Sequence, residues 1–214
     1  MPALRLRLAG TLLLAFVLAS GIAAATFAAG SPSTATIAKL NDTLLAVLKN
    51  AETLGFKGRL EKLAPAVDQA FDLDFMAEKS VGKYWKPLSD ADKARWRALF
   101  GEYTAATYAG NFDHYANQRF EISGEEPSQN DTTVVHTMLI DPGGENTALD
   151  YRLHQTPKGP KVIDIYLKGT VSQLALQRSD FTSVLERGGL DGLITTIRGK
   201  IDDLAAGRAK RQRG

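Results

Sequence analysis

The sequence contains no cysteine and only three histidines among its 214 residues. The absence of cysteine excludes disulfide bonds, catalysis by a thiolate and zinc sites built from cysteine ligands. The histidines, His114, His136 and His154, are too far apart in the sequence to suggest a metal site. We therefore predict no metal site. We also predict no cofactor, since Gly143-Gly144 and Gly188-Gly189 lack the lysine and the spacing of nucleotide-binding loops.

The sequence also lacks a strong excess of charge of either sign. Without Arg5 and Arg7, the 26 lysine and arginine side chains fall to 24, which balance 24 acidic ones. Several of the remaining basic residues lie in residues 207–214, which we predict to be a basic, disordered tail. The body of the protein has no basic stripe to neutralise a phosphate backbone, so nucleic acid is not an expected partner.

Only one long apolar run occurs, Leu8–Ala19, and it lies near the N-terminus. Two arginines precede it and small residues follow it, which is the order of a secretory signal peptide with cleavage after Ala25 or Ala28. We predict a signal peptide over residues 1–28. The alternative is an uncleaved leader that tethers the domain to the inner membrane, because no charged residue follows the run until Lys39. The run is shorter than the ~20 residues that span a membrane, which favours cleavage.

Helical periodicity dominates the first half of the remaining sequence. Apolar residues recur every three or four positions, and Gly55 and Gly82 stand where helix ends belong. Asp72 and Ser89 stand where N-caps belong. The predicted helices cover residues 34–54, 58–71, 73–81 and 90–109.

The hydrophobic pattern then changes to a period of two, which is typical of strands. Turn sequences such as Pro142-Gly143-Gly144 separate the runs, and helical periodicity returns after Gly169 with a break at Gly188-Gly189. We predict one α+β domain over residues 34–206, with a four-stranded antiparallel sheet and helices before and after it. The predicted strands are Phe120–Ser123, Thr132–Ile140, Thr147–His154 and Val162–Leu167.

Four polar residues on the last two predicted strands suggest an alternative function. Asp150, Arg152 and His154 share a strand face by period two, and Asp164 can lie beside them on the next strand. An acid, a base and a cation on a sheet can carry out proton transfer. A structural ion pair on the outward sheet face, with Asp164 or Asp150 holding Arg152, explains the same residues, because the residues that alternate with them are apolar. We favour the structural interpretation and predict no catalytic residue.

A set of short motifs follows in order from about Ile37 to Leu204. Among them are Phe71-Asp72-Leu73-Asp74-Phe75-Met76-Ala77, Val81-Gly82-Lys83-Tyr84-Trp85, Asp150-Tyr151-Arg152, Val162-Ile163-Asp164-Ile165 and Gly188-Gly189-Leu190-Asp191-Gly192-Leu193-Ile194. In order and spacing they resemble the MlaC / toluene-tolerance family of periplasmic phospholipid-binding proteins. The resemblance implies an NTF2-like sheet with surrounding helices that enclose an apolar cavity for lipid acyl chains. It also implies a carrier without enzymatic activity that works in the periplasm with a membrane ABC transporter system.

Two positions depart from the pattern of this family. Pro160-Lys161 replace an aromatic residue that usually precedes Val162, and Gln177-Arg178 replace a Tyr-Arg pair. With Gly169-Thr170-Val171-Ser172 and Asn111-Phe112-Asp113, these departures make the sequence resemble most the hopanoid-associated HpnM branch. The resemblance therefore implies a lipid partner that is either a phospholipid or a hopanoid.

We expect apolar and aromatic side chains of both strands and helices to line the cavity. Burying one ~16-carbon chain is worth about 13 kcal/mol, at ~0.8 kcal/mol per methylene, so a carrier must enclose it. A non-lipid module that only bridges membrane complexes would instead have a filled core. One β-bulge would exchange the cavity face and the outward face of a strand. The predicted lipid-binding residues are Phe75, Trp85, Phe100, Tyr103, Leu149, Tyr151, Leu153, Ile163, Ile165 and Val171.

Overall fold

The computed structural model describes residues 30–208, so the predicted signal peptide and the tail after Arg208 lie outside the described residues. Within this range, no helix is long and apolar enough to cross a membrane. The helices are α1 (Pro32–Lys49), α2 (Ala51–Ala70), α3 (Leu73–Val81), a 3-10 turn (Gly82–Tyr84), α4 (Asp90–Asn111) and α5 (Gln173–Ala205). The strands are β1 (Arg119–Ser128), β2 (Thr132–Ile140), β3 (Thr147–Thr156), β4 (Gly159–Leu167) and β5 (Val171–Ser172).

Side-chain caps start the helices where the sequence predicts them. The Asp72 carboxylate accepts a hydrogen bond from the amide of Phe75 (3.0 Å) and starts α3. The Ser89 hydroxyl accepts one from the amide of Asp92 (3.1 Å) and starts α4. Each cap satisfies a backbone N–H that has no partner within the helix.

Two of the predicted glycine breaks are kinks inside longer helices. Gly55 in α2 has φ 57° and ψ −176°, and Gly189 in α5 has φ 58° and ψ −161°. This combination of angles is essentially restricted to glycine. The break at Gly188-Gly189 is confirmed. The first helix ends at Lys49, earlier than its predicted end before Gly55.

The sheet is an antiparallel meander with the strand order β1-β2-β3-β4-β5. The predicted α+β class is confirmed, with one strand more than expected. The two-residue strand β5 pairs with the end of β4 and is too short to produce a periodic signal. The other half of the same β4 edge is covered by Phe71, which forms a parallel bridge with Val162. The segment between α2 and α3 is therefore fastened to the sheet.

Trp96 lies at the centre of the helical core and is fully buried. Its indole Nε1 donates a hydrogen bond to the carbonyl of Ala77 (2.9 Å), which satisfies the one polar atom of the side chain. Its ring contacts those of Phe100 and Phe181 at centroid distances of 5.9 and 5.4 Å. These contacts join α3, α4 and α5 into one body against the sheet.

Candidate functional site

A cavity of about 590 Å³ lies between the sheet, α4 and the start of α5. This volume falls within the ~300–1,000 Å³ that is usual for small-molecule sites. The strands form one wall and the helices the other, so the cavity opens inside the α+β interface. The apolar and aromatic lining residues are Leu48, Phe71, Met76, Tyr103, Tyr108, Phe112, Leu139, Leu149, Tyr151, Ile165, Leu167, Leu174 and Leu176.

Strand register places four apolar side chains together on the wall formed by the sheet. Leu149 pairs with Leu167 and Tyr151 pairs with Ile165 across β3 and β4. Residues directly opposite each other in an antiparallel pair point to the same face. All four line the cavity. The period-two pattern of the sequence therefore becomes one continuous apolar surface.

Aromatic rings continue this surface from the helices to β1. The Tyr108 ring meets that of Phe71 edge-on at 5.8 Å and stacks on that of Phe112 at the same distance. Phe112 in turn lies 6.0 Å from Phe120 of β1. Such edge-on and stacked contacts are favourable arrangements of aromatic rings, so these rings form a continuous aromatic cluster beside the cavity.

Tyr108 and Tyr151 form the buried, deep end of the cavity, and their hydroxyls are hydrogen-bonded to each other. Burial raises the pKa of Tyr108 well above its ordinary value. Burial also raises the pKa of Tyr151 to about 12, although the hydrogen bond with Tyr108 acts in the opposite direction. Both phenols are neutral at ordinary pH, because an apolar environment disfavours the charged form. The deep end therefore suits an uncharged, apolar ligand.

The polar lining residues include several that are open to solvent. Asn111, His114 and Asp180 are exposed, and Asp141 is half-buried. Since the apolar side chains near the Tyr108 and Tyr151 pair are buried, these polar residues form the mouth of the cavity. The arrangement suits an amphiphile with its apolar part inside and its polar end at the mouth. The remaining polar lining residues are Thr104, Thr107, Gln118, Thr147, Gln173 and Gln177.

The structure brings some of the predicted lipid-binding residues to this cavity and places others elsewhere. Those that line it are Tyr103, Leu149, Tyr151 and Ile165. Phe100 and Leu153 are buried in the core and do not line the cavity. Trp85 is buried beneath the cations of Lys93 and Arg97.

The other three predicted residues are placed by features that local sequence does not reveal. Arg152 pairs with Asp164 and Leu153 with Val162, so Ile163 is the extra residue of a β-bulge. Ile163 therefore lines a second groove, as does Phe75. Val171 lies in the short edge strand β5 and is 42% exposed.

Several lining residues were not predicted, although the sequence contains a signal for some of them. Leu167 follows Ile165 by two positions, and period two places it on the same face. Thr107 lies one turn after Tyr103 on α4, and Tyr108 lies one turn after the lining residue Thr104. By contrast, Leu48 and Leu139 lie far away along the chain and reach the cavity only through the packing of elements.

The four residues of the enzyme alternative do not form one site. Asp150 lies 3.3 Å from Nδ1 of His136, and it does not line the second groove with the other three. His154 contacts the Asp72 carboxylate at 2.8 Å. Asp150 and His154 thus each contact a structural partner, but the expected ion pair of Arg152 with Asp150 or Asp164 is not among the ion pairs of residues 30–208.

Arg152 and Asp164 also have structural partners in this second groove, which measures about 410 Å³. Arg152 donates to the Thr132 hydroxyl and to a backbone carbonyl. Asp164 accepts from the Ser172 hydroxyl and from two backbone amides. Within residues 30–208, no group of three or more histidine or acidic side chains could hold a metal ion.

Comparison with known proteins points to lipid-binding relatives. A solved structure of the phospholipid-binding protein from Ralstonia solanacearum, in complex with a phospholipid, aligns with a TM-score of 0.68 and 27% sequence identity. That alignment covers 82% of this chain and 99% of the other. The intermembrane phospholipid transport system binding protein MlaC of Haemophilus influenzae is 28% identical over 131 residues. This match covers 59% of the chain and 61% of the relative's length. The model of the MlaC protein family matches residues 38–199, more than half of the sequence, and the chain therefore belongs to the MlaC family.

Proposed function

We propose that this protein is a non-enzymatic periplasmic carrier that moves a phospholipid or a hopanoid between membranes, working with a membrane ABC transporter system. The observation that carries the proposal is the cavity, with its apolar depth and polar mouth. Each methylene removed from water is worth ~0.8 kcal/mol, so a lipid crosses an aqueous gap only inside such an enclosure. The polar end of the lipid needs no enclosure and stays at the mouth.

One of the two departures from the family pattern supports a cargo that differs from that of phospholipid binders. Gln177, which replaces a tyrosine of the family pattern, lines the cavity. Lys161, at the other departure, donates hydrogen bonds to the carbonyls of Asp68 and Gln69, away from the cavity. A substitution at the cavity changes contacts with the ligand directly, and this keeps hopanoids beside phospholipids as candidate cargo.

Lipid extraction with and without a blocked cavity tests the carrier proposal. Leu149→Trp adds a large ring where Leu149 faces the cavity, and Val171→Trp adds the same ring at an exposed site outside it. We expect wild type and Val171→Trp to carry co-purified lipid, identified by mass spectrometry, and Leu149→Trp to carry at least about tenfold less. Wild-type protein that is empty and takes up no lipid from vesicles would contradict the proposal. Equal loading of all three proteins would place lipid outside this cavity.

The proposed periplasmic location requires export and, as part of the same proposal, cleavage of the N-terminal leader. Expression of the full chain, cell fractionation and intact-mass measurement test it. A periplasmic chain that begins after Ala25 or Ala28 supports a free shuttle. A full-length chain in the membrane fraction would show instead a domain tethered to the inner membrane.

A further inference from the structure

The charged side chains that line the cavity are all acidic, apart from one histidine. Among the described residues, the lining includes the carboxylates of Asp141 and Asp180, together with His114, and no lysine or arginine. Lys168 lies just beyond the lining residue Leu167, but it is directed to Glu145 at 3.4 Å. An anionic lipid head group at this mouth would meet like charges without a neutralising cation.

A buried acceptor without a partner gives a second and independent indication. The side-chain oxygen Oε1 of Gln177 is inaccessible to solvent and has no hydrogen-bond partner within residues 30–208. Gln177 lies one turn after Gln173 and one turn before Asp180 on α5, and all three line the cavity. Because Oε1 itself is closed off from the cavity, the Gln177 side chain must rotate to meet a ligand, and a ligand N–H or O–H donor then removes the cost of this unsatisfied acceptor.

Asp141 holds a backbone turn with one of its carboxylate oxygens and still has acceptor sites for a ligand. Oδ1 of Asp141 accepts a hydrogen bond from the amide of Gly143 at 3.1 Å, which holds the turn between β2 and β3. Asp141 is half-buried beside the lining residues Leu139 and Thr147. A carboxylate has two oxygens and about four acceptor sites. Its position on the sheet side, opposite Asp180 on α5, gives the mouth acceptors from both walls.

We infer that this mouth selects lipids whose polar end carries hydrogen-bond donors and no net negative charge. The inference rests on the proposed carrier function and concerns the head group alone. Two sources supply this chemistry, a phosphatidylethanolamine and a hopanoid with hydroxyl or amino groups on its side chain. Both carry donors for a Gln177 side chain rotated toward the cavity, and neither adds net negative charge near Asp141 and Asp180.

Competition between matched lipids tests the role of charge. Delipidated protein is incubated at low salt with vesicles of equal phosphatidylethanolamine and phosphatidylglycerol with the same acyl chains, and bound lipid is measured by mass spectrometry. We expect about threefold to tenfold enrichment of phosphatidylethanolamine, the effect of two partly exposed charges. The double variant Asp141→Asn/Asp180→Asn should lose this enrichment, whereas Asp202→Asn, which changes an exposed carboxylate of α5 outside the cavity, should keep it.

Three further uptake measurements test whether the lipid must supply a hydrogen-bond donor and which class of lipid supplies it. Phosphatidylcholine has the same net charge as phosphatidylethanolamine but no N–H donor, so wild type should prefer phosphatidylethanolamine severalfold. Gln177→Leu should remove that preference. A hydroxylated hopanoid, added to the same vesicles, shows which source of donors is taken preferentially.

The possible results separate the two proposals. Protein that takes up no lipid at all overturns the carrier function itself. Protein that takes up phosphatidylglycerol as readily as phosphatidylethanolamine, or a double variant that keeps the wild-type enrichment, overturns the inference about the head group while leaving the carrier function intact. Equal loading with phosphatidylcholine and phosphatidylethanolamine overturns the role of Gln177.

Discussion

Replacing Asp164 separates a structural role from a catalytic one. The residue is 9% exposed, and its carboxylate accepts three hydrogen bonds: from the Ser172 hydroxyl (2.6 Å), the amide of Ile165 (2.8 Å) and the amide of Leu174 (3.1 Å). Two of these donors belong to the start of α5. Asp164 therefore connects β4 to the helix that supplies one wall of the cavity, and it favours the helix N-terminus electrostatically.

The expected loss of stability follows from the hydrogen bonds and the charge that each substitution of Asp164 removes. Asp164→Asn keeps an acceptor oxygen but loses the charge, so we expect unfolding to be easier by about 1–2 kcal/mol. Asp164→Ala leaves buried donors without a partner and should cost about 2–4 kcal/mol. With a urea dependence of ~2 kcal/mol per molar, the asparagine variant should unfold at ~0.5–1 M less urea.

Urea unfolding followed by circular dichroism measures these shifts, with Asp202→Asn as a control that should change stability by less than ~0.5 kcal/mol. The folded fraction of Asp164→Asn should still contain lipid as wild type does. A variant as stable as wild type would refute the capping argument. Loss of a catalytic turnover with stability and lipid content unchanged would instead support the enzyme alternative.

The buried tyrosine pair and the kink glycine give three further predictions. Because the folded-state pKa of Tyr151 is about 12 against ~10 in the unfolded chain, its contribution is present below pH 10 and is lost as pH rises toward 12. Urea midpoints should therefore fall between pH 9 and 11 by more in wild type than in Tyr151→Phe. The extra loss of stability should be about 1.4 kcal/mol at pH 11, half of the ~3 kcal/mol expected above pH 12, and identical pH profiles would contradict this. At neutral pH, Tyr108→Phe and Tyr151→Phe should each lower the free energy of unfolding by about 1–3 kcal/mol. The double variant should lower it by clearly less than the sum of the two, and additive losses would show that the hydroxyls are not coupled. Gly189→Ala should lower the free energy of unfolding, measured by heat or urea, by about 1–3 kcal/mol, because the φ and ψ of Gly189 are essentially restricted to glycine. The control Gly192→Ala should be neutral or stabilising. A Gly189→Ala variant as stable as wild type would show that α5 straightens without cost.

Much of the fold could be predicted from the sequence because its signals are local. Asp72 and Ser89 precede helices and cap them, since a short polar side chain reaches the free amides of its own first turn. Period two in residues 147–153 marks a strand with one apolar face, and a helix cannot display that pattern on one side. The α+β class follows from the order of these periods along the chain.

The cavity was only partly predictable, because its residues come from several elements. Tyr151 and Ile165 were found because strand alternation relates them to their neighbours. Ile163 was assigned to the same face by the same rule, and the bulge opposite Arg152 and Leu153 overrode it. A bulge depends on the pairing of two strands, so it carries no periodic signal in either strand alone.

The sequence by itself determined which segments are helix or strand and that their apolar faces must be buried, since these follow from backbone periodicity and from the cost of exposing apolar surface. Only the tertiary structure decided which buried residues face a void and which face other side chains. Phe100 and Tyr103 lie one turn apart on α4, yet Phe100 packs against Trp96 and Tyr103 lines the cavity. The free energy gained by burying apolar surface does not depend on direction and favours both positions equally. Only the packing of the helices against the sheet therefore distinguishes core from cavity.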